Sequence, residues 1–428
     1  MKHFSSRKHG LQMTLAILQQ PSKRVVACFL SAAIFVASLL GSAANGYVFD
    51  TTVPQAGGCP ALDLWNLSLA APFNRQWSTA LPASPGTVLT IAAAGSGPQL
   101  TEIEQVISDS FGAWFGVTET TFNTVLQPGL LAPLARTSNS NACTNDDESN
   151  VDGVNTICFN QSSMGFTSGV LAFTRVITAN APGASVGSDP PATFAGQILD
   201  ADTLFRNDGQ ATFASPAALA TPRGQGAYDL ESLLIHELGH WFALDHSAVW
   251  RSIMFPFAPP PGESLGDRPT VQSPDGPLAD DDRIGIRSLY PDPNDTVNIG
   301  AIRGRVLPAN SFALATIPAT SPGTFVTGIF GAHVVAVDAN TGSVIAGTLG
   351  GWSCNTSTAS LQFDGAFDLE RLPVGHSYEI YAEPLTGLAV PPDFSNALGD
   401  LCATSAANAC IAPAANTSFN PRVRPASP

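Results

Sequence analysis

Three of the seven histidines fall within eleven consecutive positions, in the run His236-Glu-Leu-Gly-His240-Trp-Phe-Ala-Leu-Asp-His246. On a helix, residues four apart share a face, so the imidazoles of His236 and His240 can reach one metal ion. A turn after the helix would deliver His246 as a third nitrogen ligand and leave the fourth tetrahedral position for water. Neutral imidazole suits Zn²⁺, and three protein ligands with one open position are typical of catalytic zinc. The run therefore predicts one catalytic zinc ion.

Glu237 lies beside this predicted ion without being needed as a ligand. Its carboxylate is placed to act as a general base, taking a proton from the metal-activated water and passing it to a leaving amine. This chemistry predicts an endopeptidase that acts on protein or peptide substrates. The alternative is a non-catalytic extracellular binding or adhesion protein with a structural zinc site. Such a protein needs the three histidines but no base, so the presence of Glu237 favours the enzyme.

Met254 lies eight residues after His246, in the segment Ser252-Ile-Met254-Phe-Pro256. These motifs together resemble the metzincin zinc endopeptidases, in which H-E-x-x-H-x-x-G-x-x-H is followed by a Met-turn. The resemblance assigns Met254 to the methionine beneath the metal. It is closer to the matrixin branch, because Pro256 stands where some metzincins have a tyrosine ligand. The segment 278–290 is also similar to the helix that closes matrixin catalytic domains.

The resemblance implies an α+β catalytic domain, with a twisted mixed sheet and two long helices. One position departs from the family pattern, because Ala243 stands where the family has glycine. A non-glycine residue at positive φ carries a penalty of about 1 kcal/mol or more. We therefore expect a turn of different shape before His246, which stays a ligand because Leu244-Asp245-His246-Ser247 otherwise matches the family.

Composition limits the classes of partner. The chain has 428 residues, enough for two or three domains with separate cores. Only 12% of the residues are charged and the formal net charge is −15, which makes nucleic acid an improbable partner.

The N-terminal segment has the pattern of an export signal. Five basic residues precede the apolar stretch 25–40, and small residues at Ser42 and Ala44 suit cleavage after Ala44. We expect a signal peptide over residues 1–44, with an uncleaved signal anchor as the alternative and the only route to membrane attachment. Either way the protein would be secreted, extracellular or held in the cell envelope.

Six cysteines follow this leader, as expected for an oxidising compartment. Cys143 with Cys158 and Cys402 with Cys410 are the nearest pairs and are predicted as local disulfides. Cys59 and Cys354 remain, and if they pair they tie distant parts of the chain together. A free Cys59 could instead cap the zinc as a latency switch, but its surroundings do not match the family's switch motif.

Calcium is a second candidate metal. The acidic run 145–153, with Asp146, Asp147 and Asp152, offers oxygen ligands, and Asp200 and Asp202 are weaker candidates. The spacing is not that of an EF-hand. A solvated acidic loop closed by a disulfide between Cys143 and Cys158 is the alternative.

Periodicity places several elements around the site. A capping box at Thr101-Glu-Ile-Glu104 and apolar residues at helical spacing up to Trp114 predict an amphipathic helix. Apolar runs at 88–92, 155–159, 170–178 and 197–205 predict strands. Asp229 is predicted to cap the helix that carries the histidines. We expect a substrate to lie along an edge strand near 197–204. The matrixin resemblance implies that the Pro- and Gly-rich loop 257–276 borders the substrate pocket and sets specificity.

The chain changes character after Tyr290. We predict a catalytic domain over 45–290, a linker over 291–298 and an accessory domain over 299–428. Short alternating runs at 300–306, 333–337, 343–347, 365–369 and 378–382 predict strands. They resemble the carboxypeptidase-regulatory or transthyretin-like β-sandwich, which implies a small all-β domain. His333 and His376 lie in strand-like contexts and are assigned no role.

Overall fold

The computed structural model describes residues 49–424 with interruptions. The interruptions are 53, 56–58, 69–74, 79–96, 122–134, 138–152, 162–165, 167–168, 186–189, 207–208, 267–275, 310–326, 356, 358–359 and 386–421. The predicted signal peptide and the predicted strand at 88–92 lie outside the described residues. Within them, no helix has both the length and the apolar character needed to cross a bilayer.

The first part of the molecule combines a mixed sheet with helices. Its elements are β1 (Thr51–Thr52), β2 (Ala61–Leu62), β3 (Arg75–Ser78), α1 (Gly97–Phe115), β4 (Ala135–Thr137), β5 (Asn155–Gln161), β6 (Ala172–Thr178), β7 (Ile198–Arg206), β8 (Phe213–Ala214), α2 (Pro216–Leu219), β9 (Tyr228–Asp229), α3 (Leu230–Trp241) and α4 (Asp280–Leu289). A short 3₁₀ turn at Pro222–Gly224 follows α2. The two longer helices and the sheet give the α+β architecture that the sequence predicts for this region.

The main sheet has the strand order β4-β3-β5-β7-β6. The pairs β3 with β4, β3 with β5, and β5 with β7 are parallel, whereas β6 is antiparallel to β7. Every residue of β7 is buried, while every residue of β6 is partly exposed. The expectation that a substrate pairs with an edge strand near 197–204 is therefore wrong, because β7 is paired on both sides. The edge of the sheet on this side is β6.

Helix α1 packs against α3 and begins earlier than predicted. Its apolar stripe is confirmed as core, since Ile103, Ile107 and Trp114 are fully buried. The predicted capping box is wrong as a helix start, because the helix already begins at Gly97 and Thr101 lies inside it. The indole Nε1 of Trp114 donates to the carbonyl of Ile235 at 2.9 Å. This bond fixes α1 directly against the helix that carries the histidines.

The second part of the described chain contains only strands. They are β10 (Ile299–Arg305), β11 (Ala332–Asp338), β12 (Val344–Gly350), β13 (Ser353–Asn355), β14 (Ser360–Gln362), β15 (Ala366–Pro373), β16 (Tyr378–Pro384) and β17 (Arg422–Arg424). A four-stranded sheet has the order β12-β11-β16-β17, and β10 pairs with β15. The five predicted strands are present. The specific β-sandwich resemblance stays a prediction.

The two parts share one hydrophobic core. A continuous cluster of buried residues joins Met254 and Leu289 of the first part to Val334, Ala346 and Phe367 of the second. Helix α4 packs against both β12 and β15. A disulfide between Cys59 and Cys354 adds a covalent link across 295 positions of sequence. The two parts are therefore packed together over a broad area, beyond the connection at 291–298.

Candidate metal centre

Helix α3 places two of the three histidines. Asp229 caps its first turn, as predicted, by accepting the amide of Glu231 at 3.3 Å. Buried leucines along the helix hold its orientation against the core. His236 and His240, one turn apart, therefore point in the same direction, with His236 only 7% exposed.

Backbone carbonyls select the tautomers of these two rings. The Nδ1 of His236 lies 2.7 Å from the carbonyl oxygen of Ile253, and the Nδ1 of His240 lies 2.8 Å from that of Leu244. A carbonyl can only accept, so each Nδ1 carries the hydrogen and each Nε2 has an unprotonated lone pair. Burial, followed by the neighbouring histidine charges, lowers the pKa of His236 to about 3 and that of His240 well below its usual range.

The two Nε2 atoms lie 3.3 Å apart. With these tautomers neither nitrogen can donate to the other, so the contact is between two lone pairs and is unfavourable without a cation. Zinc–nitrogen bonds of about 2.0–2.1 Å put two tetrahedral ligands about 3.3–3.4 Å apart. The observed separation therefore fits two nitrogen ligands of one zinc ion.

His246 completes the group after a tight turn. Its ring centroid lies 5.3 Å from that of His236 and 5.0 Å from that of His240. One ligand atom of each histidine lies within 4.8 Å of the other two. Ala243 makes this turn at a φ of 68°, in the left-handed region that favours glycine. The chain therefore keeps the left-handed turn with an alanine, and the expectation of a differently shaped turn is not supported.

Glu237 is held at the end of a chain of hydrogen bonds. The indole of Trp241 donates to Thr203 at 2.8 Å, the hydroxyls of Thr203 and Thr174 lie 2.8 Å apart, and Thr174 donates to Glu237 Oε2 at 2.8 Å. Thr174 has a single hydroxyl hydrogen and donates it to the carboxylate, so the Thr203 hydroxyl donates to Thr174 and the chain runs from the indole to Glu237. Burial raises the pKa of Glu237 to about 7, against the effect of the Thr174 bond.

Met254 packs beneath the histidine helix. A Cβ added to Gly239 would lie 2.2 Å from the Met254 sulfur, so any side chain at this position would displace the methionine from the helix surface. Asp282, in the first turn of α4, accepts the amides of Ile253 at 2.8 Å and Met254 at 3.2 Å and also accepts the Ser252 hydroxyl. The closing helix therefore fixes the turn whose carbonyl orients His236.

Of the candidate calcium ligands, only Asp200 and Asp202 lie among the described residues. Asp146, Asp147 and Asp152 lie outside the described residues. Asp202 accepts the amide of Thr156 at 2.7 Å, which joins β5 to β7. Among the described residues, the three histidines are the only group of metal-binding side chains, so Asp200 and Asp202 give no support to a calcium site.

The predicted disulfides have mixed outcomes. Cys158 is disulfide-bonded, whereas its predicted partner Cys143 lies outside the described residues. The predicted pair Cys402 and Cys410 also lies outside them. Cys59 pairs with Cys354 at an S–S distance of 1.94 Å, which leaves no Cys59 thiol to cap a metal.

Thr174 and Thr203 were not predicted as site residues. Both belong to segments that the sequence predicts as strands, yet no local pattern reveals that the Thr203 hydroxyl contacts that of Thr174, which in turn bonds to Glu237. Only the pairing of β6 with β7, which sets Thr174 opposite Thr203, makes the arrangement visible.

The centre lies within a region that is similar to metalloproteases. Residues 186–291, which include all three histidines, Glu237 and Met254, match the family model described as Matrixin. This match supports a matrixin-like zinc metalloprotease for that region, and zinc is the metal that the family implies.

Two curated plant proteins are each similar to a short stretch of this chain. The chain is 37% identical over 92 residues to Metalloendoproteinase 1 of Glycine max, which is 22% of this chain and 24% of that protein. It is 37% identical over 73 residues to Metalloendoproteinase 4-MMP of Arabidopsis thaliana, which is 17% of this chain and 18% of that protein. The chain thus spans about a quarter or less of the length of these relatives.

Proposed function

We propose that this protein is a zinc-dependent endopeptidase in which His236, His240 and His246 hold one Zn²⁺ and Glu237 is the general base. The observation that carries the proposal is the pair of unprotonated Nε2 atoms 3.3 Å apart. They converge with a third histidine, and the buried residue Glu237 directly follows His236 on the same helix. Zinc, when bound, supplies a Lewis acid that acidifies water and polarises a carbonyl.

The residues of the chain then perform the proton transfers. Glu237 takes a proton from the attacking water through a carboxylate oxygen and delivers it to the nitrogen of the leaving amine as the C–N bond breaks. The water thus supplies the hydroxyl group of the new carboxyl end and the proton of the new amine. Thr174 binds Oε2 and thereby orients the carboxylate. The alternative, a non-catalytic binding protein with structural zinc, has no use for this directed chain of hydrogen bonds.

Strand β6 is the proposed support for an extended peptide. It is the edge of the five-stranded sheet and is partly exposed along its length. Peptides add to such edges through main-chain hydrogen bonds. Because Thr174 lies on β6 and contacts Glu237, a peptide paired with this strand passes next to the general base.

Secretion is part of the proposal. The leader-like segment 1–44 is typical of exported proteins, and the Cys59–Cys354 disulfide fits an oxidising compartment. We place the substrates, proteins or peptides, outside the cell or in its envelope.

Replacement of Glu237 by glutamine tests the mechanism. We expect Glu237→Gln to retain one zinc per chain and to lose cleavage of a quenched-peptide library by about 10²–10⁴-fold, the usual contribution of a general base. Glu231→Gln on the same helix is the matched control and should cleave at the wild-type rate. Wild-type cleavage by Glu237→Gln, or cleavage that survives a zinc chelator, would contradict the proposal.

A further inference from the structure

A side chain of α4 connects the third histidine to the C-terminal strands. Asp281 Oδ2 accepts the hydroxyl of Ser247 at 2.6 Å, and Oδ1 accepts the backbone amide of Gly347 at 2.7 Å. Ser247 directly follows His246, while Gly347 lies in the middle of β12. One buried carboxylate thus bonds to both sides of the boundary between the two parts of the molecule.

The same junction is tightly packed. A Cβ added to Gly347 would lie 2.5 Å from His333 Nε2 and 2.6 Å from a methyl group of Val249. The amide of Val249 in turn donates to the Ser247 hydroxyl at 3.1 Å. Strand β12 therefore rests against the segment that leaves the metal centre, and its backbone has no room to move closer.

The other contacts of Ser247 fix its position relative to the metal centre. Its amide donates to the carbonyl of Met254 at 2.8 Å, so the segment after His246 and the turn beneath the histidines are joined. The cavity beside Ser247, Met254 and Asp281 has a volume of only about 10 Å³. A segment packed this closely moves when its neighbours move, because no free space is left to take up the displacement.

The remaining two ligands have a further support of their own in helix α3. His236 and His240 lie on α3 and are oriented by the carbonyls of Ile253 and Leu244. His246 lies beyond the left-handed turn at Ala243, in a segment with no regular secondary structure. The third ligand is therefore the one whose position is set by its neighbours.

We propose that the C-terminal strands are part of the zinc site, with Asp281 as a positioning residue that uses the Gly347 amide and the Ser247 hydroxyl to hold His246 in place for the metal. The inference rests on the proposed zinc function and extends it to a region outside the metalloprotease similarity. Groups that orient metal ligands typically contribute about 10–100-fold to metal affinity.

Zinc affinity of the full-length chain tests this inference. Gly347→Ala inserts a methyl group between β12 and Val249, Ser247→Ala removes the hydroxyl, and Asp281→Ala removes both carboxylate acceptors. The dissociation constant of zinc is measured by competition with a chromophoric chelator, and each metal-free variant is checked for cooperative unfolding. We expect each of the three to weaken zinc binding about 10–100-fold.

A matched glycine substitution is the control. Gly300 lies in β10, where an added Cβ would meet nothing closer than 3.8 Å, so Gly300→Ala should bind zinc like the wild type. Gly347→Ala and Ser247→Ala should also be non-additive when combined, because both act on the same link. When Ser247→Ala is loaded with cobalt, its visible spectrum should differ from that of the wild type. This spectrum reports the arrangement of the metal ligands and does not report the stability of the fold.

The outcomes separate this inference from the proposed function. Zinc affinities of Ser247→Ala and Asp281→Ala within twofold of the wild type would overturn the inference. This holds even if Gly347→Ala does not fold. A wild-type chain that binds zinc through three histidines but cleaves no peptide would overturn the proposed endopeptidase alone. Additive effects in the double variant would overturn the shared link.

Discussion

At the scale of single residues, the chemistry depends on which nitrogen of each imidazole carries the hydrogen. The sequence predicts the histidines and the general base from their spacing, and the structure brings the three histidines together, whereas the role of Glu237 stays a prediction. It could not predict the carbonyls of Ile253 and Leu244, because these come from segments that lie near the rings only after folding. The tautomers, and hence the exposed lone pairs, follow from those carbonyls.

Ala243 is a second residue-scale feature, and it yields a stability prediction. Its left-handed backbone carries a penalty of about 1–2 kcal/mol, whereas its fully buried methyl contributes about 0.8 kcal/mol. We expect Ala243→Gly to change the free energy of unfolding by less than about 1 kcal/mol, because the lost methyl and the flexibility of glycine in the unfolded chain offset the relief.

The larger Ala243→Val variant should lose about 2 kcal/mol or more, because a branched side chain is disfavoured at this φ and overfills the core. Urea unfolding of the two variants and the wild type measures both changes. A valine variant as stable as the wild type would show that this tight left-handed turn does not form in solution.

At the scale of helices and strands, an element could be predicted where several local features of the sequence agree. Helix α3 was predictable because Asp229, the leucine periodicity and the histidine spacing all agree. The position of β7 inside the sheet was not, because strand order depends on pairings between segments far apart in the chain. The prediction that 197–204 forms an edge strand is therefore wrong, although the sequence predicts both β6 and β7 as strands.

The acidic first turn of α4 gives a pH prediction. Burial, then the charge of Asp282, raises the pKa of Asp281 from its ordinary 3.8 to about 7. Burial also raises the pKa of Asp282 to about 6, although its hydrogen bonds oppose this, so Asp282 loses its proton first. Between about pH 4 and pH 7 the folded chain keeps protons that the unfolded chain has released. Proton binding by these carboxyls therefore adds to the free energy of unfolding below pH 4, and this contribution is lost as the pH rises through about 7.

The variant Asp281→Asn isolates this effect, because the buried histidines have the opposite pH dependence but are common to both proteins. Without metal, the free energy of unfolding of the variant should fall further below that of the wild type at pH 5 than at pH 8. Urea unfolding at the two pH values with a chelator measures the difference. An equal difference at both values would show that Asp281 titrates in its ordinary range.

At the scale of the whole molecule, the two parts behave as one packed unit. The sequence predicts the main helices and eight of the described strands but leaves the partners of Cys59 and Cys354 open, because cysteine spacing does not determine which pairs meet in the fold. The shared core could not be predicted either. Apolar residues on β12 and α4 show that each has a face to bury, but not that they bury it against each other.

The disulfide between these parts gives a prediction for the whole chain. Closing a loop across 295 positions restricts the unfolded chain strongly, and removal of a native disulfide typically costs about 2–5 kcal/mol. We expect the double variant Cys59→Ser, Cys354→Ser to be destabilised by that amount in non-reducing urea unfolding. A loss below about 0.5 kcal/mol, the usual limit for neutral surface changes, would show that the parts hold together without it.

The central claim is that three imidazoles hold one zinc ion, and anomalous diffraction at the zinc edge tests it most directly. Crystals of the zinc-loaded protein should show one peak about 2.0–2.1 Å from the Nε2 atoms of His236 and His240 and from a ring nitrogen of His246. A map with no peak among the three rings, or with a peak that one ring does not reach, would contradict the account.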